Sequence, residues 1–221
     1  MTSKRRAQGS GAALALLWLP VLAGCLGAGP PTAPAFPQTH EVPVSIWVPG
    51  QSWSYLVEDG SWSNWTVEAP EARRGFEAYR VRFDNSRPEP AYGSRREVAW
   101  FDAATLGRIE EQGTLRSWSD CPQGQVFPLA NRSYTCTLTA SNGYAQAIPS
   151  NYTVGAWSLM ETPAGTFAAV ETWVRTPNGD TLQHAWYSPQ VGNHVRRINY
   201  AGEAQVLAAW TVPGVPGTPP T

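Results

Sequence analysis

The chain has 221 residues, of which 42% are hydrophobic, and its 16 basic and 17 acidic side chains leave a net charge of −1. Such a balance provides no basic surface of the kind nucleic acid requires. The apolar fraction is sufficient for a packed core, which excludes global disorder.

Reading from the N-terminus, Lys4, Arg5 and Arg6 precede an apolar run from Ala12 to Ala23 that only Pro20 interrupts. This is the layout of a secretory leader. The run is well short of the roughly 20 residues that a membrane-spanning helix needs. Directly after it, Leu22-Ala23-Gly24-Cys25 resembles the lipobox of prokaryotic lipoproteins. The resemblance implies removal of residues 1–24, a diacylglyceryl group on Cys25 and acyl chains such as palmitate. It places the remainder on the outer side of a cell membrane or outer membrane, since two or more acyl chains give stable anchoring. The alternative is a soluble secreted protein in which Cys25 is incidental. Residues 1–24 hold three of the 16 basic residues and none of the 17 acidic ones, so the rest is net −4.

Residues 25–45 comprise the cysteine and a spacer containing Pro30, Pro31, Pro34, Pro37 and Pro43, a composition that favours extended chain. Beyond it, Asp59-Gly60, Asn142-Gly143 and Asn178-Gly179 have the chemistry of tight hairpin turns. Tyr79, Val81 and Phe83 alternate with Arg80 and Arg82, the period of a strand with one buried face. No stretch after the leader sustains helical spacing over three turns. The fold class is therefore all-β: an antiparallel curved sheet, half-barrel or sandwich.

Asn64-Trp65-Thr66-Val67 recurs as Asn151-Tyr152-Thr153-Val154, and Ala99-Trp100-Phe101 as Ala185-Trp186-Tyr187. Ser52-Trp53-Ser54 and Ser133-Tyr134-Thr135 precede the copies, and each copy contains a Gly-to-Phe entry into a strand, at Gly75-Phe76 and Gly165-Thr166-Phe167. Two similar meander units are expected, at 46–120 and 121–212, followed by a disordered tail at 213–221. The shared position of Trp100 and Trp186 suggests core.

Cys121 and Cys136 form an even pair in an oxidising compartment, and a disulfide is expected between them. Metal binding is the competing reading, for which further soft ligands are lacking nearby. In the second half, Glu161 to Phe167 followed by Ala185 to Gly192 resembles a group of secreted β-rich domains of unknown function. Those domains resemble in outline the half-barrels of LolA- and LolB-like lipoprotein carriers, which hold acyl chains against an apolar concave face. The carriers plug the barrel with helices, whereas no helix is predicted here.

No nucleophile elbow, zinc-protease motif, phosphate loop or calcium loop occurs. His184 and His194 on neighbouring strands are a conceivable metal pair, although solvated or core-edge histidines are far commoner; Glu110, Glu111 and Asp84 are carboxylates that nothing in their spacing pairs. No catalytic residue, metal ligand or cofactor is assigned, and the protein is read as a non-enzyme. Ten of the 11 tryptophans follow the leader, chiefly as core filling between twisted sheets. Trp62 and Trp65, three apart in a strand, face opposite sides, and one of them is the candidate ligand contact. Asn64, Asn131 and Asn151 open glycosylation sequons. The expected function is a membrane-anchored binding module for an apolar ligand or an envelope protein. A structural component of the envelope and a carbohydrate-binding module are the alternatives, the last marked by coplanar exposed tryptophans.

Overall fold

The computed structural model describes Val42 and residues 44–87, 96–112, 116–124 and 127–214. The leader, Cys25, most of the spacer and the tail from residue 215 lie outside the described residues.

The strands are β1 (Ser52–Val57), β2 (Trp62–Arg73), β3 (Phe76–Asn85), β4 (Arg96–Asp102), β5 (Arg108–Gln112) and β6 (Arg116–Gln123). They continue as β7 (Arg132–Ala140), β8 (Ala145–Thr162), β9 (Gly165–Arg175), β10 (Thr181–Ser188), β11 (Asn193–Asn199) and β12 (Ala204–Thr211). Each strand pairs with its neighbours in sequence, and β1 pairs antiparallel with β12, so the sheet closes into a barrel. The expected all-β antiparallel curvature is thus carried to full closure. Asp59-Gly60, Asn142-Gly143 and Asn178-Gly179 each lie in the turn between two consecutive strands, with their glycines at positive φ. Asn64 and Asn151 stand in β2 and β8, Trp100 and Trp186 in β4 and β10, Trp53 and Tyr134 in β1 and β7. Each matched pair is therefore six strands apart, while the expected unit boundary at 120/121 falls inside β6.

An eight-stranded barrel is filled by its own side chains, and the diameter grows with strand number. Twelve strands leave a lumen that ordinary side chains cannot close. Large aromatic residues occupy the inward positions instead: Trp53 and Tyr55 on β1, Trp65 on β2, Tyr79 on β3, Tyr152 on β8 and Tyr187 on β10 are all buried. The segment before β1 completes the filling. Trp47 sits 5.1 Å from Trp53, 5.6 Å from Tyr79 and 5.4 Å from Phe101, centroid to centroid, and its Nε1 donates to the Gly192 carbonyl at 2.8 Å. Val42 is buried as well, so the packed region begins before residue 46. From the β6–β7 connection, Phe127 enters the core and meets Tyr187 edge-on at 5.0 Å.

The outer face is polar. Arg80 and Arg82 both pair with Glu68, and both arginine side chains are 43% exposed. Charged pairs in the middle of strands do not suit contact with hydrocarbon. No helix among the described residues is long and apolar enough to cross a membrane. The β2–β3 hairpin turns through Arg74 and Gly75, both at positive φ (49° and 85°), as a tight hairpin turn of the primed kind requires. Its tip reaches across β4 to β6, where Arg73 lies 4.2 Å above the Trp100 ring and Arg74 4.0 Å above Trp118. Both arginines, together with Arg116, donate to the fully buried carboxylate of Glu110. Trp100 is buried, as its shared position with Trp186 suggested, in a small cluster with Ala78 and Ile109 under the hairpin and outside the lumen, whereas Trp186 is only half-buried, on the outer face of β10.

Two neighbouring strand pairs share only three register positions each, β6–β7 and β11–β12. Beyond the first, Cys121 and Cys136 form a disulfide with Cα atoms 5.5 Å apart. Beyond the second, the β8–β9 hairpin leans onto the barrel, and the Ala164 amide donates to the Leu207 carbonyl at 3.3 Å.

Two stability measurements follow from this packing. Replacing Trp47 by Ala removes the aromatic plug and is expected to cost about 3–5 kcal/mol in urea denaturation. For Glu110, burial alone would raise the carboxyl pKa, but the bonds from Arg73, Arg116 and Arg74 bring it below its ordinary 4.5. Its contribution is thus present above the unfolded pKa and is lost as pH falls through the folded value. Glu110→Gln is expected to lower stability by about 2 kcal/mol at pH 7, and the difference from the parent should shrink below about pH 4.

Candidate functional site

The lumen is not completely filled. Above Trp47, Leu106 and Phe127 remains a cavity of about 200 Å³ that extends to Asn85, Asn199 and Tyr200. Those three residues stand at the far ends of β3 and β11, away from the plug. The cavity therefore has an aromatic floor and a polar upper wall.

Period-two geometry assigns the wall residues. On β2, Ser63 and Trp65 point inward with Val67; on β4, Glu97 and Phe101 do so with Ala99; β3 continues its buried run Tyr79, Val81, Phe83 into Asn85. Across the lumen, Gln183 and Tyr187 on β10 face in, as do His194 and Arg197 on β11 and Gln205 on β12, and Asn193 at the start of β11 also borders the cavity. The aromatic residues are set by one another: Trp65 lies 5.1 Å from Tyr55 and 4.7 Å from Phe83, and its Nε1 donates to Ser63 Oγ at 3.1 Å.

The arginines of this wall are engaged within it. Arg108 pairs with Glu111 at 2.6 Å. Arg197 stands 4.9 Å over the Trp65 ring and donates to Gln205 Oε1 at 3.2 Å. Burial and the nearby positive charge of Arg197 push the His194 imidazole down to about 3, so this ring is neutral at ordinary pH. Burial also pushes the Tyr187 phenol up to about 12, while its hydroxyl bonds Ser45 Oγ at 2.5 Å. Two amide nitrogens in the wall, Asn193 Nδ2 and Gln123 Nε2, are buried and have no hydrogen-bond partner among the described residues. Asn193 is only 3% exposed, and its Oδ1 accepts from the His194 amide.

The residues singled out from sequence are distributed over both faces of the sheet. Trp65 is in the cavity wall, whereas Trp62 is 45% exposed on the outside. Glu110 points out into its arginine cluster and Glu111 points in, while Asp84 pairs with Arg82 on the outer face. His184 is on the outer face, stacked 4.8 Å from Trp173 and bonded to Glu171, while His194 is in the lumen, so the two rings do not converge. Asn64 is half-buried on β2; Asn131 Oδ1 accepts from the Val154 amide and Asn151 Oδ1 from Ser133 Oγ. The amide side chains at 123, 183, 193 and 205 escaped notice. Their signal is a polar residue standing in step with a buried run, as Asn85 does after Phe83.

No protein-family model matches the chain, and no curated protein matches it. Two solved structures are similar. One, from Bacteroides fragilis, is described as an exported protein with a YmcC-like fold; it is 14% identical over 75% of this chain and 97% of its own, with a TM-score of 0.40. The other, from Parabacteroides distasonis, is described as a lipoprotein; it is 15% identical over 80% of this chain and 97% of its own, with a TM-score of 0.42. A likeness at this level says nothing of activity.

The depressed pKa of His194 generates a pH dependence. Between its unfolded value near 6.5 and about 3 the unfolded chain binds the proton and the folded one does not, so stability falls as pH falls through that window. From pH 6.5 to 4.5 the loss should be about 2–3 kcal/mol. Denaturation of His194→Gln across the same range should lack that component.

Proposed function

We propose that the protein is an extracytoplasmic lipoprotein, tethered through Cys25, whose barrel binds a small polar molecule in its lumen and performs no chemistry on it. The observation that carries this reading is the cavity wall: aromatic rings together with carboxamides, one internal ion pair and an arginine bonded to a carboxamide. An acyl chain would leave those amides without partners, which is costly in a buried site. The wall therefore favours a polar ligand over the apolar one that resemblance to acyl carriers implied. The absence of a catalytic assignment rests on the same geometry. Glu111, the inward member of the Glu110-Glu111 pair, is held by Arg108 while Glu110 is on the other side of the sheet.

The tether reading rests on Leu22 to Cys25 and on the compartment. The Cys121–Cys136 disulfide suits an oxidising environment, and the charged outer face suits water. The chain enters the barrel beside the plug, at Ser45 and Trp47. Ligand exchange then proceeds from the opposite end, past Asn85 and Asn199, rather than through the segment leading back to the lipid.

Mass spectrometry of the full chain purified from its own membranes tests the proposal. The denatured protein is expected to start at Cys25 and to carry diacylglyceryl mass, and the native protein to hold a small molecule that is released on unfolding. A chain that retains residues 1–24 without acyl mass would refute the tether. An empty barrel under native conditions, together with no binding in solution, would refute the receptor.

A further inference from the structure

We infer that the lumen is built for a neutral polyhydroxylated ring, a sugar or the end of a sugar chain; this rests on the reading of the barrel as a receptor. Six carboxamides line the cavity, Asn85, Gln123, Gln183, Asn193, Asn199 and Gln205; of these Asn199 is engaged by Glu203 and Ala201 in its own turn and Gln205 Oε1 accepts from Arg197, which leaves the other four as the principal recognition groups. A carboxamide donates through its nitrogen and accepts through its oxygen, and a hydroxyl does both from a single atom. A wall of carboxamides therefore matches a ring of hydroxyl groups whatever their orientation. Two of the donors, Asn193 Nδ2 and Gln123 Nε2, are already desolvated and lack an acceptor among the described residues.

Ionic ligands fit the same wall poorly. Arg108 is held by Glu111, and Arg197 is held between Gln205 and the Trp65 ring. Glu97 likewise has a partner. A charged solute would have to displace one of these contacts. An alkyl chain would satisfy the floor and strand the amides. A sugar has hydroxyls at its rim and C–H groups on its faces, and the cavity is divided the same way, with Trp65, Phe83 and Phe101 supplying the apolar contact.

Size and shape narrow the class. The cavity of about 200 Å³ is below the roughly 300–1,000 Å³ of sites for drug-sized ligands, which sets a single ring or little more. Trp62 is the one exposed tryptophan among the described residues, so among them no pair of exposed tryptophans offers a platform for the face of a polysaccharide. Recognition is of an enclosed ring, entered from the Asn85 and Asn199 end.

The test is calorimetric titration of the full chain in detergent with glucose, galactose, N-acetylglucosamine and their β-linked disaccharides. Dodecanoate and glutamate serve as the apolar and charged probes. Saturable binding of at least one sugar is expected, at least tenfold weaker in Gln123→Ala, whose amide nitrogen makes no bond that the fold would miss. Asn193→Ser should weaken it similarly, with an unfolding midpoint measured in parallel to show that the barrel persists. Sugar binding that neither variant changes would overturn the assignment to this cavity. Binding of dodecanoate or glutamate with no sugar bound would overturn the sugar inference and leave the receptor standing. Binding of nothing, with no small molecule carried by the native protein from its own membranes, would overturn both.

Discussion

Twelve strands closing on themselves enclose more space than twelve strands' worth of ordinary side chains can fill, and most of the molecule answers to that excess. Leu and Val at the inward positions would leave a broad void, which costs free energy in proportion to its volume. The sequence instead places Trp, Tyr and Phe inward and folds its own entry segment into one end. Trp47 is the keystone of that end because it meets aromatic rings from β1, β3 and β4 together. The high tryptophan content is thus in part a volume requirement of the fold. The space left above the plug is the cavity, so plug and candidate site are products of one constraint.

Closure also imposes a cost on the sheet itself. Where neighbouring strands diverge, the ladder fails, as it does beyond three register positions between β6 and β7 and between β11 and β12. Non-ladder devices take over there: a covalent bond and the Asp120 acceptor for the Thr137 amide at the first seam, a leaning hairpin at the second. The arginine cluster around Glu110 serves a related purpose on the outside, fastening one long hairpin across three strands. A single buried carboxylate satisfied by three guanidinium groups avoids the unpaired buried charge that would otherwise oppose folding, and the stacked tryptophan rings shield the contacts from water.

Much of this was legible locally and little of it globally. Asx-Gly pairs marked three of the turns, and the alternation around Val81 identified β3 and its inward face. The sequence matches between the halves fall on strands six apart, which is half the circuit of the barrel. Closure itself had no local sign, because the pairing of β1 with β12 joins Trp53 to Trp210 across most of the chain. Trp100 is buried as expected, but its sequence carried no sign of the face: arginines cover it, and the half-buried Trp186, from the outside. The opposite destinations of Glu110 and Glu111 follow from strand periodicity once the strand is known, yet β5 is only five residues long and no pattern announced it.

The polar wall stands out against this economy. At the floor every device serves to exclude space, while in the cavity wall Asn193 and Gln123 are buried with donors unmet and His194 resists protonation in acid. The unmet amide nitrogens weaken the fold at any pH and the desolvated imidazole does so in acid, although Asn193 also accepts from the His194 amide through its Oδ1. Buried donors left unmet in a cavity wall are the pattern expected where a site, rather than packing, decides identity. Stability is then made up by Trp47, by the disulfide and by Glu110. The separation of a rigid, well-satisfied frame from a poorly satisfied interior surface is the physical argument for reading the lumen as a receptor for something polar.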